Sequence, residues 1–206
     1  MSHQIPFIIY AEETPNPSSI KFVANKMLLN DGATAQYWKV EEAKGSPLAL
    51  ALFAFPFVKQ VFISGTYIAV TKIDSVSWED IILETRVFIT EFLNKGNAVV
   101  NELPTAEMAV DNTFTETKKV FTEHQPPANE VEAKIIEILE QYIRPAVEQD
   151  GGLITFKSLE DGKVTVQMRG ACSGCPSSAL TLKAGIEALL KRLLPEQVKE
   201  VVSEAV

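Results

Sequence analysis

Two cysteines separated by two residues are the side chains of this sequence best suited to chemistry. Cys172 and Cys175 are its only two cysteines, and both lie within residues 170–178 of a 206-residue chain. A thiolate acts both as a nucleophile and as a metal ligand. Any sulfur chemistry of this protein therefore takes place in one short segment.

The cysteine segment lies between a strand pattern and a helix pattern. Residues 164–168 alternate between apolar and polar side chains as in a strand, and residues 179–194 show helical spacing. Ser177 or Ser178 is a suitable N-cap for that helix. Because a helix N-terminus favours negative charge, this position stabilises a thiolate or another anionic centre.

Four uses of such a pair remain open from the residues themselves. A pair of buried structural cysteines is the simplest use, but two cysteines in one short loop and nowhere else in the chain disfavour it. Dithiol–disulfide exchange uses a Cys-x-x-Cys pair in thioredoxin-like proteins, but here Pro176 follows the second cysteine instead of lying between the two. A structural zinc site needs four ligands, and the two histidines, His3 and His124, lie in predicted loops. A [4Fe–4S] cluster typically takes four thiolates.

Counting ligands suggests that this segment is half of a site. Two chains that meet across a two-fold axis present the same surface to each other. Such a homodimer brings four thiolates together, enough for one [4Fe–4S] cluster bridged between the chains. A symmetric zinc site would have the same geometry, so the count does not separate the two metals.

Composition and charge narrow the class of protein. The chain is 46% hydrophobic and 22% charged, with a net charge of −8, which is typical of a globular protein without a basic nucleic-acid-binding surface. An anionic membrane is disfavoured for the same reason. The N-terminus shows no basic-then-apolar signal pattern. We therefore expect a cytoplasmic protein, of bacterial type, that binds neither nucleic acid nor membrane.

The chain is predicted to fold as two small α+β domains, residues 1–94 and 128–206, joined by a linker at 95–127. The first domain contains strand patterns at 5–10 and 20–23, a short helix at 48–55 and a hairpin at 58–72. A longer helix begins after Ser77. The linker is rich in threonine and proline and lacks periodicity, apart from a possible short element at 113–121.

The second domain is predicted to follow the order α-β-β-loop-α-β. Its first helix covers residues 130–148, is interrupted by Pro145 and ends at Asp150-Gly151-Gly152. Strands at 154–157, 164–168 and 198–202 complete the unit. The buried faces of its two helices are expected to comprise Val131, Ile135, Ile138, Leu139, Tyr142, Ile143 and Val147, and Leu182, Ile186, Leu189, Leu190 and Leu193.

The second domain is similar to the NifU C-terminal domain of the Nfu family, whose members often carry a separate N-terminal domain. The residues that carry this resemblance are Asp150-Gly151-Gly152, Gly170-Ala171-Cys172, Cys175-Pro176-Ser177-Ser178, Thr181-Leu182-Lys183 and Gly185-Ile186-Glu187. The first domain resembles the Nfu N-terminal domain in residues 14–22, in its hairpin and at Trp78.

The resemblance implies a scaffold or carrier that accepts a [4Fe–4S] cluster and passes it to apo-proteins. Cys172 and Cys175 are the implied cluster ligands, and the cluster-bound form is expected to be a homodimer. Apo iron–sulfur acceptors and upstream cluster-assembly proteins are the expected partners, and the first domain is expected to recognise them. Such a protein is not an enzyme. The alternative is a dithiol–disulfide oxidoreductase that uses the same cysteine pair.

Overall fold

A computed structural model of the chain describes residues 5–30, 33–103, 124–171 and 176–205, without the side chains of 176–179 and 205. The chain separates into two compact units. One contains Met1–Ala11, Phe22–Ile68 and Lys72–Glu123, and the other contains Glu12–Lys21, Ala69–Thr71 and His124–Val206. The two-domain α+β organisation is confirmed, while the exact boundaries at 94 and 128 stay a prediction.

The N-terminal half contains a five-stranded sheet with the order β1-β2-β5-β4-β3. Helix α1, predicted at 48–55, begins at Pro47, because Ser46 Oγ accepts a hydrogen bond from Ala49 N at 3.1 Å and Pro47 occupies the first turn. The elements are β1 (Ile9–Glu13), β2 (Ser19–Ala24), β3 (Thr34–Tyr37), a 3-10 helix (Val40–Gly45), α1 (Pro47–Phe53), β4 (Val58–Ser64), β5 (Tyr67–Lys72) and α2 (Trp78–Asn94).

Most elements of this half were predictable, but β1 and β3 were not placed correctly. β1 begins at Ile9, four residues later than the predicted strand, and β3 lies in a stretch for which no strand was predicted. β3 has only four residues and pairs antiparallel with β4. Because its stability comes from that distant partner, local residue preferences do not reveal it.

The described elements of the C-terminal half follow the predicted order α-β-β-α-β, while the predicted loop between the second strand and the last helix includes residues 172–175, which lie outside the described ranges. β6 pairs antiparallel with β7, and β7 pairs parallel with β8. The elements are α3 (Glu130–Ile138), a π-helical turn (Leu139–Ile143), α4 (Arg144–Gln149), β6 (Gly152–Glu160), β7 (Lys163–Gly170), α5 (Pro176–Leu193) and β8 (Glu200–Ala205). None of the helices that the structure describes is both long enough and apolar enough to cross a membrane.

Two residues predicted for the helix core are instead exposed. Tyr142 is 55% exposed and Leu193 is 44% exposed, while Ile143 packs against the core and Leu194 is buried. The π-helical turn at Leu139–Ile143 adds a residue to the turn, so the strict 3.6-residue spacing no longer applies there. The buried core comprises Ile135, Ile138, Leu139, Val147, Ile154, Phe156, Val164, Val166, Met168, Ile186, Leu190, Leu194, Val198 and Val201.

His124 lies outside any helix or strand, as predicted, but it is half-buried and has a structural role. Its Nδ1 accepts a hydrogen bond from Phe156 N at 2.8 Å, and its Nε2 contacts the carboxylate of Glu140. The neighbouring Gln125 N donates to Phe156 O at 3.0 Å. Since Nδ1 is an acceptor, the hydrogen-bond network assigns the ring proton to Nε2. His124 therefore fixes the start of the C-terminal half to β6.

Replacement of His124 with alanine should destabilise the C-terminal half. The Phe156 N–H would lose its partner next to a side chain that is 2% exposed. An unsatisfied buried donor costs about 1–3 kcal/mol. Urea unfolding at neutral pH measures this loss, and an unchanged unfolding midpoint would contradict the structural role.

Replacement of Glu140, the partner of His124 Nε2, should give a stability loss that depends on pH and can be compared with that of His124→Ala. Burial raises the pKa of Glu140, but hydrogen bonds from Arg144 and His124 and the charge of Arg144 outweigh it, so the pKa lies below its ordinary value. The carboxylate therefore stabilises the fold above its unfolded-state pKa, and this contribution is lost as the pH falls through the folded-state pKa. Glu140→Gln should cost about 1 kcal/mol at neutral pH, given its partial exposure, and progressively less in acid.

Candidate metal centre

The two cysteines predicted to bind metal lie outside the residues that the structure describes. Cys172 and Cys175 fall in the gap between Ala171, which follows β7, and Pro176, which begins α5. The structure therefore describes the residues on both sides of the pair. The residues on the strand side are held by hydrogen bonds, some of them from residues far away in the sequence.

Ala171, the residue before Cys172, is fixed through its backbone N–H. That group donates to Gly151 O at 3.1 Å, and Ala171 is only 2% exposed. Gly151 follows α4, and its N–H in turn donates to Glu148 O at 3.1 Å. Gly151 and Gly170 have φ values of +78° and +71°, a backbone conformation that glycine adopts without strain. The hydrogen bond from Ala171 N to Gly151 O thus links the end of β7 to the end of α4.

The Ala171 carbonyl is fixed by Asn16, a residue of the β1–β2 connection. Asn16 Nδ2 donates to Ala171 O at 3.0 Å in a buried hydrogen bond. Sequence reasoning assigned Asn16 to a turn of the first domain and missed this contact. The only local signal was an asparagine between two prolines, which indicates a rigid turn but not its partner.

Lys21, in the adjoining strand β2, makes a second contact with this part of the structure. Its Nζ donates to Gln149 O at 3.2 Å and lies 3.5 Å from a Glu12 carboxylate oxygen. Gln149 is the last residue of α4, where backbone carbonyls favour a positive charge. Lys21 is only 9% exposed, so this is a buried cation at a helix C-terminus. Segment Glu12–Lys21 therefore contacts both α4 and Ala171.

Asp150 is the C-cap of α4 and lies near this cation, and the sequence predicts a helix stop at this position. Burial raises the pKa of Asp150, and the charge of Lys21 opposes the rise without cancelling it. The folded state therefore binds the Asp150 proton more tightly than the unfolded state does. As the pH rises above the ordinary pKa of an aspartate, ionisation of Asp150 lowers the free energy of unfolding. A negative charge at a helix C-terminus is also unfavourable.

Replacement of Asp150 with asparagine should accordingly stabilise the protein at neutral pH. The gain should shrink as the pH falls below the ordinary aspartate pKa, where the acid is protonated in both states. Thermal unfolding between acidic and neutral pH measures it. Asp161→Asn is the control, because Asp161 lies at an exposed turn with φ +51°, which asparagine also adopts. A stability gain independent of pH would contradict the assignment.

The helix side of the cysteine segment begins at Pro176. Proline suits the first turn of a helix, because its missing N–H has no intrahelical partner there in any case. The amide groups and dipole at such an end favour an anion. The sequence order thus attaches Cys175 directly to an end of α5 that suits a thiolate or an anionic cluster.

The donor set that the sequence predicts for a metal is this pair of thiolates. In the described ranges no group of three or more histidine, cysteine, aspartate or glutamate side chains is arranged to hold a metal ion. Thiolates are the usual ligands of iron–sulfur clusters, and they also bind zinc. Two thiolates fit half of either four-ligand site, and the assignment of Cys172 and Cys175 as ligands stays a prediction.

Comparison with known proteins agrees with the two-domain organisation. Residues 9–96 match the family model described as scaffold protein Nfu/NifU N terminal, and residues 135–202 match the NifU-like domain. NifU-like protein 4, mitochondrial, of Arabidopsis thaliana is 38% identical over 91% of this chain and 63% of its own length. The NFU1 iron-sulfur cluster scaffold homolog, mitochondrial, of Drosophila willistoni is 36% identical over 96% of this chain and 64% of its own length.

The relatives contradict the expected cytoplasmic, bacterial location. Both are named as mitochondrial proteins of eukaryotes, and so is NifU-like protein 5 of Arabidopsis thaliana, which is 38% identical over 91% of this chain. The expectation rested on the first residues of the sequence. Because the chain spans only about 63% of the first relative's length, the position at which it begins is no guide to targeting.

The order of the structural elements and the similarity to known proteins indicate the same family. The described helices and strands of the C-terminal half follow the predicted order α-β-β-α-β, and the two family models together cover both α+β domains on either side of the linker. Relatives that match more than nine-tenths of the chain are named NifU-like proteins or iron–sulfur cluster scaffolds. The chain therefore belongs to the Nfu family, in which an Nfu/NifU N-terminal domain precedes a NifU-like domain.

Proposed function

We propose that this protein is an iron–sulfur cluster carrier that holds a [4Fe–4S] cluster through Cys172 and Cys175 of two chains and passes it to apo-proteins. The observation that carries the proposal is the anchored start of the cysteine segment. Both backbone groups of Ala171, the residue before Cys172, are hydrogen-bonded in a domain of NifU-like sequence. The relative from Drosophila willistoni, which is named an iron-sulfur cluster scaffold homolog, supports the same proposal.

The cluster is cargo in this proposal, and the chain supplies two ligands and a place to hold them. A [4Fe–4S] cluster with four thiolates carries net negative charge, which a helix N-terminus favours. α5 begins one residue after Cys175. The protein therefore has to bind and orient thiolates, and no proton transfer or covalent bond to a substrate carbon is required. On this basis the protein is a carrier and not an enzyme.

Sharing the cluster between two chains explains how it is given up. Each chain contributes half of the thiolates, so weakening the dimer also weakens the cluster site. During transfer an acceptor thiol loses its proton and binds iron as a carrier thiolate leaves, and the released carrier thiolate takes up a proton. Ligand number and charge are conserved in each exchange. Apo iron–sulfur proteins are the proposed acceptors, and cluster-assembly proteins are the proposed source.

Anaerobic reconstitution of the full chain with iron and sulfide tests the proposal. We expect the visible absorbance of an iron–sulfur cluster, about four irons per two chains and conversion of the protein to a dimer. Absorption spectroscopy, iron and sulfide analysis, and light scattering measure these three results in turn. A colourless protein whose cysteine pair forms a reversible intramolecular disulfide would support the dithiol oxidoreductase instead. A colourless dimer that holds one zinc ion per two chains would identify a zinc site.

Transfer requires a separate measurement. The loaded dimer, mixed with an apo-ferredoxin as acceptor, should lose its cluster to the acceptor faster than it loses the cluster to buffer. Native gel separation followed by iron analysis measures the redistribution. Equal rates with and without the acceptor would show a storage protein and not a carrier.

A further inference from the structure

We infer that Asn16 is a positioning residue for the cysteine segment, so that the β1–β2 connection sets how firmly the cargo is held. The inference deepens the proposed function and rests on it in one respect, the identity of the cargo. It assigns to the Nfu-type N-terminal part of the sequence a role in retaining the cluster, in addition to any role in recognising acceptors. The acting contact is the hydrogen bond from Asn16 Nδ2 to Ala171 O at 3.0 Å.

The turn that contains Asn16 holds its side-chain amide in one orientation. Asn16 Oδ1 accepts from Ser18 N at 3.0 Å, which leaves the Nδ2 end of the amide directed to Ala171. The single Thr14 hydroxyl proton is shared between Asn16 O at 2.9 Å and Ser19 O at 3.0 Å, and Ser19 N donates to Asn16 O at 2.9 Å. A side chain fixed in this way loses little further freedom when it binds Ala171.

Burial makes this contact costly to lose. Asn16 is 4% exposed and Ala171 is 2% exposed, so water does not readily replace either partner. A buried carbonyl that loses its donor pays the full desolvation cost of the group. The bond from Asn16 to Ala171 is therefore stronger as a restraint than an exposed hydrogen bond of the same length.

The restrained carbonyl belongs to the peptide unit that joins Ala171 to Cys172. A peptide unit is planar, so a bond to its carbonyl limits rotation of the whole unit. The other backbone group of Ala171, its N–H, is bonded to Gly151 O. With Ala171 restrained on both sides, Asn16 limits the conformations in which the first thiolate of the pair is presented. This preorganisation lowers the entropy cost of binding the cargo.

Asn16→Asp and Asn16→Ala in the full-length chain test the inference. The aspartate variant keeps an oxygen to accept from Ser18 N but places a second oxygen opposite Ala171 O, whereas the alanine variant removes both contacts. Asn25 is the matched control, because its Oδ1 accepts from Ile8 N at 3.0 Å and its Nδ2 donates to Pro6 O at 3.1 Å. Asn25→Asp and Asn25→Ala repeat the same chemical changes away from the cysteine segment.

Two measurements read out the effect. The first is the pH profile of iodoacetamide alkylation of the reduced, metal-free protein, which reports the thiolates directly. The second is the rate at which an iron chelator removes iron from the reconstituted protein. Both Asn16 variants should shift the alkylation profile and release iron about fivefold faster, the factor for one typical net hydrogen bond. Both Asn25 variants should match the unsubstituted protein.

The outcomes separate this inference from the proposed function. If the unsubstituted protein takes up no cluster but Asn16 variants alter the alkylation profile, the carrier proposal fails and the positioning role stands. If the protein loads normally and Asn16 variants match it in both measurements, the positioning role is wrong. An effect of Asn16→Asp alone would also overturn it, because added charge would then be the cause. Equal effects of the Asn25 variants would likewise overturn it, because they would show only a loss of general stability.

Discussion

Replacement of either Cys172 or Cys175 with alanine should abolish cluster loading, the largest effect that we expect of any substitution. In a homodimer each change removes two of the four thiolates, and two remaining ligands do not hold a [4Fe–4S] cluster. Iron and sulfide analysis after anaerobic reconstitution measures the loss. Ser173→Ala is the matched control, since it alters a residue between the cysteines without removing a thiolate.

A tandem protein, in which two copies of the chain are joined by a flexible linker, decides whether the cluster is shared. One copy is intact and the other carries both Cys172→Ala and Cys175→Ala, so the intact copy has no choice of partner within the molecule. Diluted enough that tandem proteins do not pair, it should hold no cluster if the site is bridged, whereas a site within one chain would retain about half of the cluster of the all-intact tandem. Circular dichroism of the two tandem proteins confirms that both are folded. A value near one half would contradict the bridged site.

The parts of the fold that could be predicted from the sequence are those with a local cause. Ser46 and Pro47 define the start of α1, and Gly151 marks the stop after α4, because caps and turns depend on neighbouring residues. The alternating strands β6 and β7 follow from the spacing of their own side chains. These signals suffice to give the order α-β-β-loop-α-β.

The features that were missed depend on partners far away in the sequence. β3 depends on β4, and the burial of His124 depends on Phe156 N, 32 residues away. The π-helical turn changes which residues face the core, so Tyr142 was wrongly predicted to lie inside. A periodic pattern carries no record of such contacts, and each one overrides the local preference.

The candidate site likewise contains residues that the sequence reveals and residues that it does not. The thiolates and their spacing were evident from the sequence, because two cysteines in one segment stand out by residue type alone. Asn16 was not, since 155 residues separate it from Ala171. Chemistry-bearing residues were therefore predictable, whereas the residues that restrain their backbone were not. This difference matters for any carrier whose ligands lie in a loop.

Gly151→Val should weaken cluster binding by crowding the base of the cysteine segment. A Cβ at Gly151 would lie 3.5 Å from Thr14 Cγ2 and 3.6 Å from Ala171 Cβ, so one methyl is tolerated but the branches of valine meet these atoms. Overpacking of this kind costs about 1–3 kcal/mol. The φ of +78° adds roughly 1–2 kcal/mol of backbone strain for any side chain. Iron content after reconstitution and urea unfolding measure the two consequences.

Gly96→Val separates crowding from backbone strain. Gly96 has φ +76°, nearly the same as Gly151, but a Cβ there would meet nothing within 4 Å. Valine at position 96 should therefore lower the free energy of unfolding by the strain alone and leave iron content unchanged. Valine at position 151 should lower both, because its branches displace Ala171 from the contacts that hold it. If the two variants load the same amount of cluster, the position of Ala171 does not control cargo binding, and restraint of the cysteine segment must come from the α5 side.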